Sequence, residues 1–232
     1  MSTSPHSVSK LQPSPDVLGE LLHSLSQPLT GLRCSLELSL DLPLKLSPEE
    51  VAEQQQESVA AALQQTEKVI SMIQLMREYL DAEQPGPEAC SVALAPVLRS
   101  VLEELSSIAS VRGIQLRLVG TCMATLPVPE PRLRLALQYL IATMMEAQPR
   151  GGKITLLLGE GPAGAVLRVG GERRFHDPVR ATSASAATLR RVRLAIAMRV
   201  LETAGASLVF GDGDAGPAGF ALRIPRRVRV PV

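Results

Sequence analysis

Residues 17–36 read VLGELLHSLSQPLTGLRCSL, and the leucines in this stretch decide the architecture of the first third of the chain. Leu18, Leu22, Leu25, Leu29, Leu32 and Leu36 recur at spacings of 4, 3, 4, 3 and 4. That is a heptad stripe, and it predicts a helix packed in a bundle or coiled coil. Pro28 falls inside the stripe, where it should remove one backbone hydrogen bond and bend the helix. A break follows at DLPLKLSPEE, residues 41–50. There Ser47, Pro48, Glu49 and Glu50 supply a cap, a first-turn proline and acids at the positive end of a helix dipole. The second helix is predicted to run to about Tyr79, with Val59, Leu63, Thr66, Ile70 and Ile73 again spaced 4, 3, 4 and 3. Three glutamines at 54–56 lie on its early turns. Two such helices joined by a short loop form an antiparallel hairpin. One hairpin cannot bury both flanks of its stripe, whereas two can, so a homodimeric four-helix bundle is expected.

The composition sets the outer bounds. With 232 residues, 45% hydrophobic and 20% charged, the chain is globular and long enough for one large or two small domains. Aromatics make up 2% with no Trp, so the core must be aliphatic, and a base-stacking nucleic-acid surface is disfavoured. Cys34, Cys90 and Cys122 are far apart and lack metal-ligand spacing, so no metal site is expected. The odd cysteine count and the lack of a secretory signal fit a cytoplasmic location. No run of 18 apolar residues predicts membrane insertion. Charge divides unevenly: residues 1–88 carry 5 Lys+Arg against 13 Asp+Glu, and residues 89–232 carry 19 against 10, giving −8 and +9. This split suggests two modules with different surfaces.

Outward from the hairpin, residues 1–14 are Ser- and Pro-rich and read as a disordered tail. The hairpin spans 15–82, and 83–91 is a linker by its Pro, Gly and acid content. From 92 to 232 the period switches repeatedly. Helices are predicted at 94–110, 130–147 and 189–204. Strands are predicted in GIQLRLVG (113–120), in GGKITLLLGE (151–160) paired with GAVLRVGG (164–171), and in a hairpin formed by SLVFGDGDAGPAGFALRIP (207–225). Helices interleaved with antiparallel strands imply an α/β sandwich, helices on one face of a mixed sheet. The acidic turn GDGDAG at 211–216 reads as a hairpin turn, since no bidentate Glu follows at calcium-loop spacing.

Starting at His23, the first helix carries HSLSQPLT. It resembles the phosphoacceptor box of bacterial sensor histidine kinases, with His23, Pro28, Leu29 and Thr30 on the matching positions. RLRLALQYLIATMMEAQPRGGKITL (132–156) is similar to that family's first ATP-binding box. RLAIAMRVLETAGASLVF (193–210) resembles the helix and strand after the nucleotide lid, and GFALRIP (219–225) the terminal strand. The resemblance covers roughly residues 15 to 226. It implies a dimerisation and histidine-phosphotransfer hairpin followed by a kinase-like ATPase domain, an α plus α/β fold.

The departures from the family pattern bear on function. The position of the magnesium-holding Asn matches Thr143, and a second frequent Asn is Tyr139. The Asp that reads adenine falls at Gly171 and the following Gly at Arg173, with Glu172 one place out of register. The glycines before the lid helix correspond to Arg191 and Arg193. One hydroxyl is a poor magnesium ligand in place of an amide carbonyl. The resemblance is therefore to a degenerate member similar to ATP-independent histidine phosphotransferases, with no cofactor of its own and magnesium supplied by the partner.

His23 is then the implied phosphoacceptor, its neutral imidazole nucleophilic near neutral pH. Ser24 replaces the usual acid after it. Glu20, one turn earlier, is a candidate to orient the ring, Gln27 to position water, and Thr30 completes the box. The implied partners are a second copy, a response-regulator receiver domain and a sensor kinase, with no nucleic acid. A non-phosphorylating pseudokinase scaffold and a divergent ATP-dependent sensor kinase, rescued by Glu172 and the arginines, remain the alternatives.

Overall fold

The computed structural model describes residues 17–40, 47–82, 84, 91–171, 184–210 and 219–226. The tail predicted at 1–14, most of the linker at 83–91, the turn at 211–216, and the candidates Glu172 and Arg173 lie outside the described residues.

The described residues group into two compact units. One joins residues 15–81 with 182–192, and the other contains the rest. In the first, helix α1 runs Val17–Leu40 and α2 runs Pro48–Ala82, three residues beyond the predicted end at Tyr79. Pro28 does not terminate α1; it is buried within a continuous helix. Hydroxyls turn back onto the helix around it: Ser26 Oγ donates to the Leu22 carbonyl at 3.3 Å, and Thr30 Oγ1 to the Ser26 carbonyl at 2.9 Å.

The start of α2 is a reciprocal capping box. The Glu50 carboxylate accepts from the Ser47 backbone N–H at 2.8 Å, and the Glu50 N–H donates to Ser47 Oγ at 3.3 Å. The first of these bonds, then the Ser47 hydroxyl, holds the Glu50 carboxyl below its ordinary value. A depressed folded value makes this contribution complete above the ordinary carboxylate range, and it is lost as pH falls through the lowered value. Ser47→Ala is expected to cost about 1 kcal/mol of helical stability at neutral pH, read by thermal unfolding.

The burial of the hairpin follows a different face from the heptad stripe. α1 buries Val17, Leu21 and Pro28, and α2 buries Ala62, Met72, Leu75 and Ala82. Leu18, Leu25 and Leu32 are half-buried, whereas Leu22, Leu29 and Leu36 are exposed, as are Val59, Leu63, Ile70, Ile73 and Leu80 on α2. The exposed set is apolar and recurs at helical spacing on both helices.

The second unit begins with a short ribbon, β1 (Val92–Ala93) paired with β3 (Thr125–Leu126), which the sequence pattern does not reveal at two residues per strand. Helix α3 (Leu94–Val111), β2 (Gln115–Gly120), α4 (Glu130–Ala147), β4 (Lys153–Gly161) and β5 (Gly164–Gly171) follow. Then come α5 (Ala184–Thr203), five residues longer at its start than predicted and grouped with the first unit up to residue 192, β6 (Ser207–Phe210) and β7 (Gly219–Pro225). The sheet order is β2-β4-β5-β7-β6; β2 and β4 are parallel and the other pairs antiparallel. The sheet is therefore mixed, as expected.

Alternation along the strands builds the core. Ile154, Leu156 and Leu158 of β4 are buried while Leu157 between them is exposed, and Ala165, Leu167 and Val169 of β5 face the same way. Register brings like positions together: Leu156 opposite Val169, Leu167 opposite Leu222, and Val169 opposite Phe220. α4 contributes Leu133, Leu137, Leu140, Ile141 and Met144, all fully buried. α3 and α4 are further tied by Arg134, which bonds Glu104 and Ser100 on α3 and Glu130 on its own helix, with Gln138 also on Glu104. Among the described residues the one fully buried aromatic side chain is Phe220, which meets Phe210 edge-on at 6.1 Å between ring centroids. The β4–β5 turn requires Gly164: its φ is +134°, and a Cβ there would lie 2.7 Å from the Arg226 nitrogen.

Candidate functional site

His23 stands on the exposed surface of α1, one turn before Pro28. Two forces place it there. Leu21 on one flank is fully buried, anchoring that side of the helix, and Pro28 is buried as well. His23 lies 200° around the axis from Leu21 at the ~100° advance of a helix residue, so its ring is turned to solvent. Gln27, four residues on, shares its face and is exposed, while Ser24 is half-buried. The Thr30 hydroxyl spends its proton on the Ser26 carbonyl and keeps only acceptor capacity.

Glu20, the candidate to orient the ring, has a partner from outside its own helix. Its carboxylate pairs with Arg191 of α5, Oε1 to Nη1 at 3.2 Å, within the helical unit. The sequence gives no warning of this pair, because 171 residues separate its members and no local spacing connects them.

Of the described positions matched to nucleotide contacts, Tyr139, Thr143, Gly171 and Arg193 lie in the α/β unit and Arg191 in the helical unit. Thr143 is buried and its hydroxyl donates to the Tyr139 carbonyl at 2.7 Å, a bond within α4. The Arg193 guanidinium lies over the Tyr139 ring, 5.8 Å from its centroid, and pairs with Glu146 at 3.5 Å. Gly171, at the end of β5, borders the buried side chain of Gln148. A Cβ at 171 would lie 2.6 Å from Gln148 Cδ, nearer than real carbon contacts. Gln148 and Glu146 are the participants that sequence reading missed. Both sit in the matched helix box, but nothing in the spacing says which way they point.

Two cavities occur elsewhere. One of about 320 Å³ lies by the β4–β5 turn, lined by Met123, Glu160, Gly164 and Arg226, and one of about 570 Å³ lies between α3 and β2. Among the described residues no cluster of His, Cys, Asp and Glu is arranged to hold a metal ion. No described helix is long and apolar enough to cross a membrane.

No protein-family model matches the chain, nor does any curated protein. Solved structures do. The Acinetobacter baumannii histidine kinase AdeS superposes with a TM-score of 0.58 at 16% identity, over 88% of this chain and 97% of that one. The chain has the histidine kinase fold. A histidine kinase from Burkholderia phymatum gives 0.47 at 20% identity over 88% and 97% of the two chains. The cytoplasmic segment of histidine kinase QseC gives 0.46 at 15% over 80% and 100%. Those two scores fall below 0.5, so the fold assignment rests on the first. Within the histidine kinase fold, the exposed His23 and the filled positions around Thr143, Gln148 and Arg193 belong to different units, and each constrains function separately.

Proposed function

We propose that the protein is a histidine phosphotransferase of two-component signalling. His23 carries a phosphoryl group between aspartates of response-regulator receiver domains, and the kinase-like unit does not use ATP. The observation that carries this reading is the occupation of the nucleotide positions by Thr143, Gln148 and Arg193 in a chain whose phosphoacceptor-box histidine stays exposed. Those residues do not fit a magnesium nucleotide. The Thr143 hydroxyl is committed to the Tyr139 carbonyl, and an adenine-reading carboxylate at 171 would collide with Gln148 unless that side chain moved. Arg193 is held by Glu146 and Tyr139 rather than presented to a phosphate.

The transfer itself asks little of such a unit. A ring nitrogen of neutral His23 attacks the phosphorus of an aspartyl phosphate. An N–P bond forms, the O–P bond breaks, and the regulator's carboxylate leaves with the electron pair. The imidazole proton passes to solvent, and magnesium belongs to the receiver domain. Two copies associating through the exposed stripes of α1 and α2 would present two His23 faces outward from a four-helix bundle.

Calorimetric titration with ATP in excess magnesium tests the reading. No saturable heat at millimolar nucleotide is expected. Saturable binding at micromolar ATP would overturn it in favour of a working kinase, with autophosphorylation at His23 as the activity.

A further inference from the structure

We infer that Arg191 is the cation that holds the phosphoryl group at His23, delivered to the phosphoacceptor helix from the start of α5 by its ion pair with Glu20. The inference rests on the phosphotransferase reading above. Within the helical unit, Arg191 Nη1 lies 3.2 Å from Glu20 Oε1 and Nη2 lies 3.4 Å from the hydroxyl of Thr188 one turn earlier. A guanidinium has five N–H donors. These two contacts use one donor each, leaving three without a partner among the described residues, and 62% of the side chain remains exposed. Glu20 precedes His23 by three residues, so the two are surface neighbours on α1, about 5–6 Å apart at Cβ. The anchored guanidinium thus stands beside the face from which the imidazole projects.

The helix itself offers no alternative. Along Val17–Leu40 the one basic residue is Arg33, ten positions on and paired with Glu37 at 2.6 Å. A phosphoryl group in flight spreads charge over three equatorial oxygens, and stabilising it is a matter of position and opposite charge. Arginine suits this because its planar fork bonds two phosphoryl oxygens at once. Glu20 takes one edge of the guanidinium and fixes it, and the unused donors meet the phosphoryl oxygens. A residue matched to the family's nucleotide-lid glycines thereby takes part in a reaction that does not involve a nucleotide.

Phosphoramidate tests this without any regulator. The His23 ring nitrogen attacks its phosphorus, the P–N bond to ammonia breaks, and ammonia leaves with the imidazole proton. Labelling of the full chain is followed by phosphorus NMR and intact mass, with His23→Ala identifying the signal that belongs to His23. Arg191→Ala is expected to slow labelling at His23 about tenfold or more, the worth of one charge-assisted hydrogen bond. The loss should fall largely on the apparent affinity for phosphoramidate. Arg191→Lys should recover part of it. Glu20→Gln breaks the same ion pair but keeps the cation, so it should lose less than Arg191→Ala. Equal losses in Glu20→Gln and Arg191→Ala would reduce the pair to a packing contact and overturn the inference. So would His23 labelling that is unchanged in Arg191→Ala. A wild-type label that survives His23→Ala intact would instead overturn the phosphoacceptor reading, and this inference with it.

Discussion

Replacing His23 with alanine is expected to reduce phosphoryl transfer from a phosphorylated receiver domain to the spontaneous rate of aspartyl-phosphate hydrolysis. The reason is stoichiometric. The intermediate is an N–P bond, and among the described residues of α1 no other imidazole is present to form it. His6 and His176 lie outside the described residues, one in the N-terminal stretch and one in the stretch between β5 and α5. The variant should fold normally, because an exposed helix position changed to the best helix former costs at most a few tenths of a kcal/mol. A fall in transfer therefore reads as chemistry and not as instability. The measurement is decay of the receiver's phosphoryl label in the presence of protein, with appearance of label on the protein. Unchanged decay and unchanged pathway output in His23→Ala would remove the phosphotransferase reading. The protein would then be a docking scaffold that binds a regulator without chemistry.

How much of this was legible before the structure differs by element, for physical reasons. The strands and helices of the α/β unit could be read because burial on one face leaves a period: Ile154, Leu156 and Leu158 alternate with exposed positions, and the long helices repeat their leucines. The cap at Ser47 and the acids behind it were visible because they lie within four residues, and the structure joins Ser47 and Glu50 reciprocally. The ribbon β1–β3 was not, since two residues per strand cannot show a period. The exposure of His23 on α1 follows from its place off the leucine stripe, which the sequence shows. The surroundings of the candidate sites were not legible. Glu20 was expected to orient the imidazole with no sign of its pair with Arg191, and Gly171 was read as a lost carboxylate without any sign that Gln148 covers the space. Both are long-range meetings of side chains, fixed by how elements pack and invisible to local spacing.

The heptad stripe carries the second large effect. It was read as a packed seam, yet in the single chain its positions 22, 29 and 36 and their α2 counterparts 59, 63, 70 and 73 are exposed. Leucine 63 is 61% exposed and leucine 22 is 58% exposed, high values for apolar residues that recur at seven-residue spacing. A contiguous apolar stripe of this kind on a soluble surface marks an association face. A second copy is the occupant that fits without further assumption, because its stripe has the same period and the same length. Two changes on α2, Leu63→Glu and Ile70→Glu, lie on this stripe and away from Ala62, Met72 and Leu75, so they should leave the hairpin of one chain intact. In a two-fold assembly each introduced carboxylate is buried at the seam and duplicated by symmetry. An unpaired charge in such a place costs several kcal/mol in lost hydration. The double variant is expected to be monomeric at micromolar concentration by light scattering and the parent dimeric, with helix content largely retained by circular dichroism. It should still be labelled at His23 by phosphoramidate, since Glu20, His23 and Arg191 all come from one chain. A parent protein that is itself monomeric would show that the stripe serves another partner, and the four-helix bundle would have to be abandoned.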